Sequence, residues 1–235
     1  MIGESMTLYP RPLYVFSAVL LALTLSFSSL AQDVVEGREY KLIVPAQTPE
    51  SAGKIEVIEF FSYACPHCAE FEPDLQAWLK RKPRDVDYRA IPMVFRQEWK
   101  APAKLYFTLE AMGLVDKYHA KVYDAIHKER KDLFTDQGVK EWAKSVGIDP
   151  AKFNEAYDSF GIDAKLQRAA TVGRDYGVQF TPALAVNGKF ITGPSMVTSP
   201  PGGGQGSRLD YPRFFSVLDQ LIGMARGKPA AKKKG

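Results

Sequence analysis

Cys65 and Cys68 are the only two cysteines among 235 residues, and just Pro66 and His67 stand between them. Thiols at this spacing suit three chemistries: a structural cross-link, part of a zinc site, or a dithiol that exchanges electrons. A bridge across so short a loop takes little entropy from the unfolded chain, so it stabilises little. A structural zinc site wants four ligands. Beyond the two thiols the sequence offers His67, His119 and His127. His67 lies between the cysteines and is poorly aimed at an ion they would share. His119 and His127 are eight apart on one helical stretch, whereas helical metal pairs are three or four apart. Neither a metal nor another cofactor is expected, and a redox dithiol is the favoured reading.

The elements that must position the pair are legible around it. "KIEVIEFF", Lys54–Phe61, has the β-branched and aromatic residues of a buried strand. "SYA" turns the chain, and Pro66 stands where a first helical residue needs no N–H. A helix from Pro66 to about Lys82 puts Phe71, Leu75, Trp78 and Leu79 on one face, with a kink expected at Pro73. Cys65 is then the helix cap or its neighbour. Unpaired N–H groups and the dipole at that end favour negative charge, and thiolate is the reactive form of cysteine. His67 adds a donor or a positive charge. Cys65 is therefore expected to be the low-pKa sulfur that substrates attack, with Cys68 facing the core.

Further along, Ala183–Val186 reads as a short strand, Asn187-Gly188 as a hairpin turn, and Lys189–Thr192 as the returning strand. Between the two strand regions the pattern is helical. The expected helices are Ala101–Met112, Val115–Arg130, Thr135 or Asp136 to Val146, one starting at Asp149-Pro150, and Ile162–Tyr176. A strand falls between Asp85 and Phe95, and Tyr211–Arg226 closes the fold as a helix. "SPPGGGQGS", Ser199–Ser207, reads as a long surface loop.

"EFFSYACPHCAEFEP" resembles the active site of the bacterial DsbA thiol:disulfide interchange proteins. Thioredoxins usually carry Gly-Pro between the cysteines and eukaryotic disulfide isomerases Gly-His. "GVQFTPALAVNGKF", Gly177–Phe190, is similar to the family's cis-proline loop and the hairpin after it, and parts of "VVEGREYKLI" fit its N-terminal strand. The resemblance implies an α/β thioredoxin fold with an inserted helical domain, and a monomeric periplasmic oxidase. Cys65, Pro66, His67 and Cys68 form its redox centre. Pro182 is its cis-proline, with Thr181 pairing an extended substrate. Glu59 becomes a buried acid that handles the proton of Cys68. Substrates are thiols of unfolded exported proteins, and a DsbB-like membrane quinone reductase restores the disulfide. Taken alone, Glu59 also reads as an outward-facing strand acid, with Glu56 on the opposite face. Arg89 is the nearest candidate for the basic residue that often lies beside this acid in the family.

Leu13–Leu30 is apolar and uncharged, Arg11 precedes it, and Ser29 and Ala31 suit a signal-peptidase site after Ala31. An uncleaved anchor is the alternative. The expected division is 1–31 signal peptide, 32–97 and 175–226 the two parts of the thioredoxin fold, 98–174 the insertion, and 227–235 a basic tail. The net charge is +4, with four lysines in the tail and no basic stripe with interleaved aromatics, so nucleic acid is not an expected partner. Two other functions stay open on sequence: a reductase or isomerase on the same fold, and a binding module whose cysteines are incidental.

Overall fold

A computed structural model of the chain describes Gly3, residues 34–199 and residues 208–227. The expected signal segment, most of the Ser199–Ser207 loop and the lysine tail lie outside the described residues. Among the described residues, no helix is long and apolar enough to cross a membrane.

The first half builds β1 (Lys41–Leu42), β2 (Ile55–Phe61), α1 (Pro66–Arg81) and β3 (Val86–Pro92). Five helices follow: α2 (Lys100–Ala111), α3 (Val115–His127), α4 (Asp136–Ser145), α5 (Pro150–Tyr157) and α6 (Phe160–Asp175). The chain then returns through β4 (Ala183–Val186) and β5 (Phe190–Thr192). A small ladder of β6 (Thr198–Ser199) and β7 (Arg208–Leu209) precedes α7 (Tyr211–Ala225). Ser199 thus ends a strand rather than opening the loop.

The main sheet has the order β1-β5-β4-β2-β3. β3 lies parallel to β2, joined to it through α1, and β4 runs antiparallel to β2 on the other side. The β4–β5 hairpin turns at Asn187 and Gly188, whose φ values of 51° and 64° suit a tight two-residue turn. This is the expected α/β architecture, a thioredoxin fold with helices inserted between β3 and β4.

Both faces of the sheet are covered. Val57, Leu184 and Val186 pack with Phe71, Leu75 and Trp78 of α1 and with Phe214 and Leu218 of α7. Ile58, Phe60 and Ala185 belong to the core shared with the inserted helices. A strand buried on both sides has no wet face, so alternation cannot expose one set of side chains. Glu56 and Glu59 do point to opposite faces, but both are buried. The outward-facing reading of Glu59 is therefore overturned.

Local chemistry sets several helix limits. The Thr135, Asp149 and Asp210 side chains accept from Gly138, Lys152 and Arg213 N–H and cap α4, α5 and α7. α3 stops at His127 rather than Arg130, and Arg130 takes a left-handed φ of 55°. α6 starts at Phe160, ahead of the expected Ile162. α1 runs on through Pro73 as one helix.

Candidate active site

Cys65 is the N-cap of α1, with extended backbone (φ −87°, ψ 116°) and Pro66 at the first helical position. Its carbonyl accepts from the N–H groups of Cys68 at 3.1 Å and Ala69 at 3.2 Å, which starts the helix over the sulfur. Both cysteines are unbridged and buried. Cys65 Sγ lies 3.4 Å from the carbonyl oxygen of Thr181, a contact spanning 116 residues of sequence. The Thr181-Pro182 bond is cis. The cysteine block and the Thr181-Pro182 block therefore meet in space.

The two sulfurs sit in opposed environments. A hydrogen bond from the Cys68 thiol, helped by Thr181 and by the N–H groups of Cys68 and His67, outweighs burial and lowers the Cys65 pKa to about 5. At Cys68, burial comes first, and the neighbouring Cys65 and Glu59 add to it, so its pKa rises well above the ordinary thiol value. One sulfur is a stable thiolate near neutral pH, and the other holds its proton.

Glu59 lies behind this pair with 1% of its surface exposed. Burial, then the charge of Glu72, push its pKa up to about 8, against the opposing effect of a hydrogen bond from Tyr88. Tyr88 Oη donates to Glu59 Oε2 at 2.5 Å. Arg89 does not serve this acid. In the β2–β3 register Arg89 sits opposite Ile58 and Ala90 opposite Glu59. The Arg89 side chain thus emerges on the Glu56 face, where its Nε lies 3.2 Å from Glu56 Oε2.

His67 differs from expectation in how it contributes. Its imidazole is exposed, with Nδ1 3.3 Å from Glu70 Oε2, and its backbone N–H is the group that reaches the Cys65 sulfur. The residue also borders a cavity of about 170 Å³ with Thr181, Pro182, Pro194, Leu209 and Tyr211. That hollow has mainly apolar walls.

Sequence reasoning missed four residues near the pair. Glu72 of α1 is buried (6% exposed), its Oε2 3.4 Å from His119 Nε2. His119 Nδ1 is 2.7 Å from Tyr63 Oη, and His127 Nε2 is 2.8 Å from the Tyr63 carbonyl oxygen. Tyr63 itself is buried in the core. The sequence placed the two histidines eight apart on one helical stretch. It did not show what that stretch packs against.

Comparison with known proteins agrees with the geometry. Residues 50–199 match the family model described as Thioredoxin. The thiol:disulfide interchange protein DsbA of Bordetella parapertussis is 39% identical over 210 residues, 89% of this chain and 95% of the relative. The crystal structure of Pseudomonas aeruginosa DsbA superposes with a TM-score of 0.75 at 32% identity, over 83% of this chain and 96% of that one. The oxidoreductase DsbA from Xylella fastidiosa gives a TM-score of 0.71 at 26% identity, over 83% of this chain and 98% of that one.

Proposed function

The chain belongs to the DsbA family of thiol:disulfide interchange proteins, and on that premise we propose that it is a periplasmic oxidase donating its Cys65–Cys68 disulfide to newly exported proteins. It is a protein disulfide oxidoreductase. The observation that carries the direction is the contrast between the two sulfurs, a thiolate held at a helix N-terminus and a buried thiol behind it.

A substrate thiolate attacks Cys65 Sγ. The Cys65–Cys68 bond breaks, its electron pair leaves on Cys68, and that sulfur takes up a proton. Protonated Glu59 is the donor in this reading, since a buried acid titrating near pH 8 still holds its proton at neutral pH. A second substrate thiolate then attacks the substrate sulfur of the mixed disulfide. The substrate disulfide forms and Cys65 departs as thiolate. A leaving thiol of low pKa leaves fast, and a stabilised reduced form makes the disulfide oxidising, which is the family's own redox logic. The substrate loses two electrons and the cysteine pair gains them.

Thr181 and the hollow beside Pro182 receive the substrate backbone as an added extended strand. A membrane quinone reductase of the DsbB type removes the two electrons afterwards. Signal cleavage after Ala31, an insertion spanning residues 98–174 and a monomeric state belong to the same reading. The reduction potential of the purified mature protein against glutathione tests it. An oxidising couple is expected, and a value near that of thioredoxin, about −270 mV, would overturn it.

A further inference from the structure

The turn that carries Cys65 presents three successive carbonyls, and each has a donor. Phe61 O accepts from Met93 N–H at 2.7 Å, and Ser62 O from Cys65 N–H at 3.1 Å. Both donors are backbone. The third, Tyr63 O, accepts from a side chain, His127 Nε2, at 2.8 Å. The other end of the same tyrosine is held as well, with its Oη 2.7 Å from His119 Nδ1. His119 Nε2 in turn lies 3.4 Å from Glu72 Oε2 on α1. Two histidines about 12 Å apart along α3 therefore grip both ends of one buried residue, two positions before the nucleophile.

We propose that His127 and His119 are positioning residues for the redox reaction: from the inserted helices they fix the Ser62–Ala64 turn, and through it the geometry in which the Cys65 thiolate is held.

Neutral imidazoles suffice. Tyr63 O–H donates to His119 Nδ1 and His127 Nε2–H donates to the Tyr63 carbonyl, while His119 Nε2 faces the Glu72 carboxylate at 3.4 Å. The titratable groups facing His119 are Tyr63 from the turn, Glu72 from α1, Tyr106 from α2 and Tyr123 from α3. The turn touches one sulfur directly and leads to groups that hold the other. Its Ser62 N–H is a hydrogen-bond partner of Cys68, and it leads directly into the N–H groups of His67 and Cys68 that face Cys65. Hydrogen bonds weaken steeply once misaligned, so a turn that rotates swings Cys65 out of line with the N–H groups of His67 and Cys68 that hold its thiolate. Without His127 the Tyr63 carbonyl loses its donor in a setting where an unpaired backbone group is costly. The inference rests on the reading of Cys65 as nucleophile.

The test follows the Cys65 thiolate titration of the full-length reduced protein by alkylation rate against pH, alongside thermal melting. His127→Leu should move the midpoint up by about one unit, a tenfold weaker hold on the thiolate. His127→Gln keeps a side-chain N–H for the carbonyl and should recover most of that shift. Tyr63→Phe keeps the packed ring and removes only the hydroxyl, so it remains informative even if His127→Leu fails to fold. It should also shift the midpoint upward, and adding His119→Leu to it should move the midpoint no further. A lower melting temperature with an unmoved midpoint in the variants makes the histidines structural only and overturns the proposal. Equal shifts in His127→Leu and His127→Gln assign the effect to lost charge and overturn it too. A parent with no thiolate below neutral pH overturns the reading of Cys65 itself and this inference with it, whereas a normal parent with unmoved variants overturns this inference alone.

Discussion

At Cys65, hydrogen bonds from the Cys68 thiol, Thr181 and the N–H groups of Cys68 and His67 converge on one sulfur and bring its pKa to about 5. Alkylation of the reduced protein should therefore label Cys65 with a half-maximal rate near pH 5, while buried Cys68 stays unlabelled. Mass mapping of the modified cysteine checks this, and faster labelling of Cys68 would reverse the assignment. Glu59 carries the opposite sign. Its folded pKa of about 8 lies above an unfolded value of about 4.3. Such a group contributes stability fully below the unfolded pKa and loses it as pH rises through the folded one. Glu59→Gln keeps an acceptor for Tyr88 and removes that loss. It should melt higher than the parent at pH 8 and close to it at pH 4. In turnover, the step in which Cys68 gains or sheds its proton should slow by at least about tenfold and lose its titration near pH 8. An unchanged pH profile would mean that Glu59 does not carry that proton.

Single elements show how much of the site depends on local backbone chemistry. α1 places the cysteines because Pro66 opens it and Phe71, Leu75 and Trp78 anchor it against the sheet and α7. The β4–β5 hairpin keeps β4, and hence the Thr181-Pro182 segment before it, in line with β2. Its turn admits little change. Gly188 has a φ of 64°, and a Cβ there would lie 2.0 Å from the carbonyl oxygen of Gln47. Gly188→Ala should cost about 2–3 kcal/mol, read as a lower melting temperature, with Cys65 alkylation unchanged in the protein that still folds. A variant that melts like its parent would show that the turn relaxes freely.

For the whole molecule, redox state and stability are linked through the same sulfur. The folded pKa of Cys65, about 5, lies below the unfolded thiol value of about 8.5. The stability this adds to the reduced form is complete above the unfolded pKa and lost as pH falls through the folded one. At pH 7 it is about 2.7 kcal/mol. Cys68, raised by burial, opposes it only above the unfolded thiol pKa, at about pH 8.5. The bridge closes a four-residue loop, which by loop-closure entropy returns about 2 kcal/mol, less than this. The reduced protein should therefore melt above the oxidised protein at pH 7, with the margin shrinking toward pH 4. Calorimetry of both forms across that range checks it, and an oxidised form that melts higher at pH 7 would mark a structural disulfide.

The sequence alone determined whatever depends on neighbours along the chain. The strand before Cys65, the helix opened by Pro66, the Asn187-Gly188 turn and the helix caps at Thr135 and Asp149 all follow from preferences acting over a few residues. Family motifs extended that reach to Thr181-Pro182. Tertiary structure decided what depends on register and on cover from distant segments. β2 is buried on both faces, so no alternation could say whether Glu59 met water. One step of strand register put Ala90 rather than Arg89 opposite it. The backbone of His67 serves the sulfur, while its imidazole turns toward Glu70. His119 and His127 reached the redox centre because α3 packs against Tyr63, a contact spanning 56 residues to His119 and 64 to His127. Local propensity carries no information about such a contact. It forms only when the inserted helices close over the sheet and each buried polar group must find its partner.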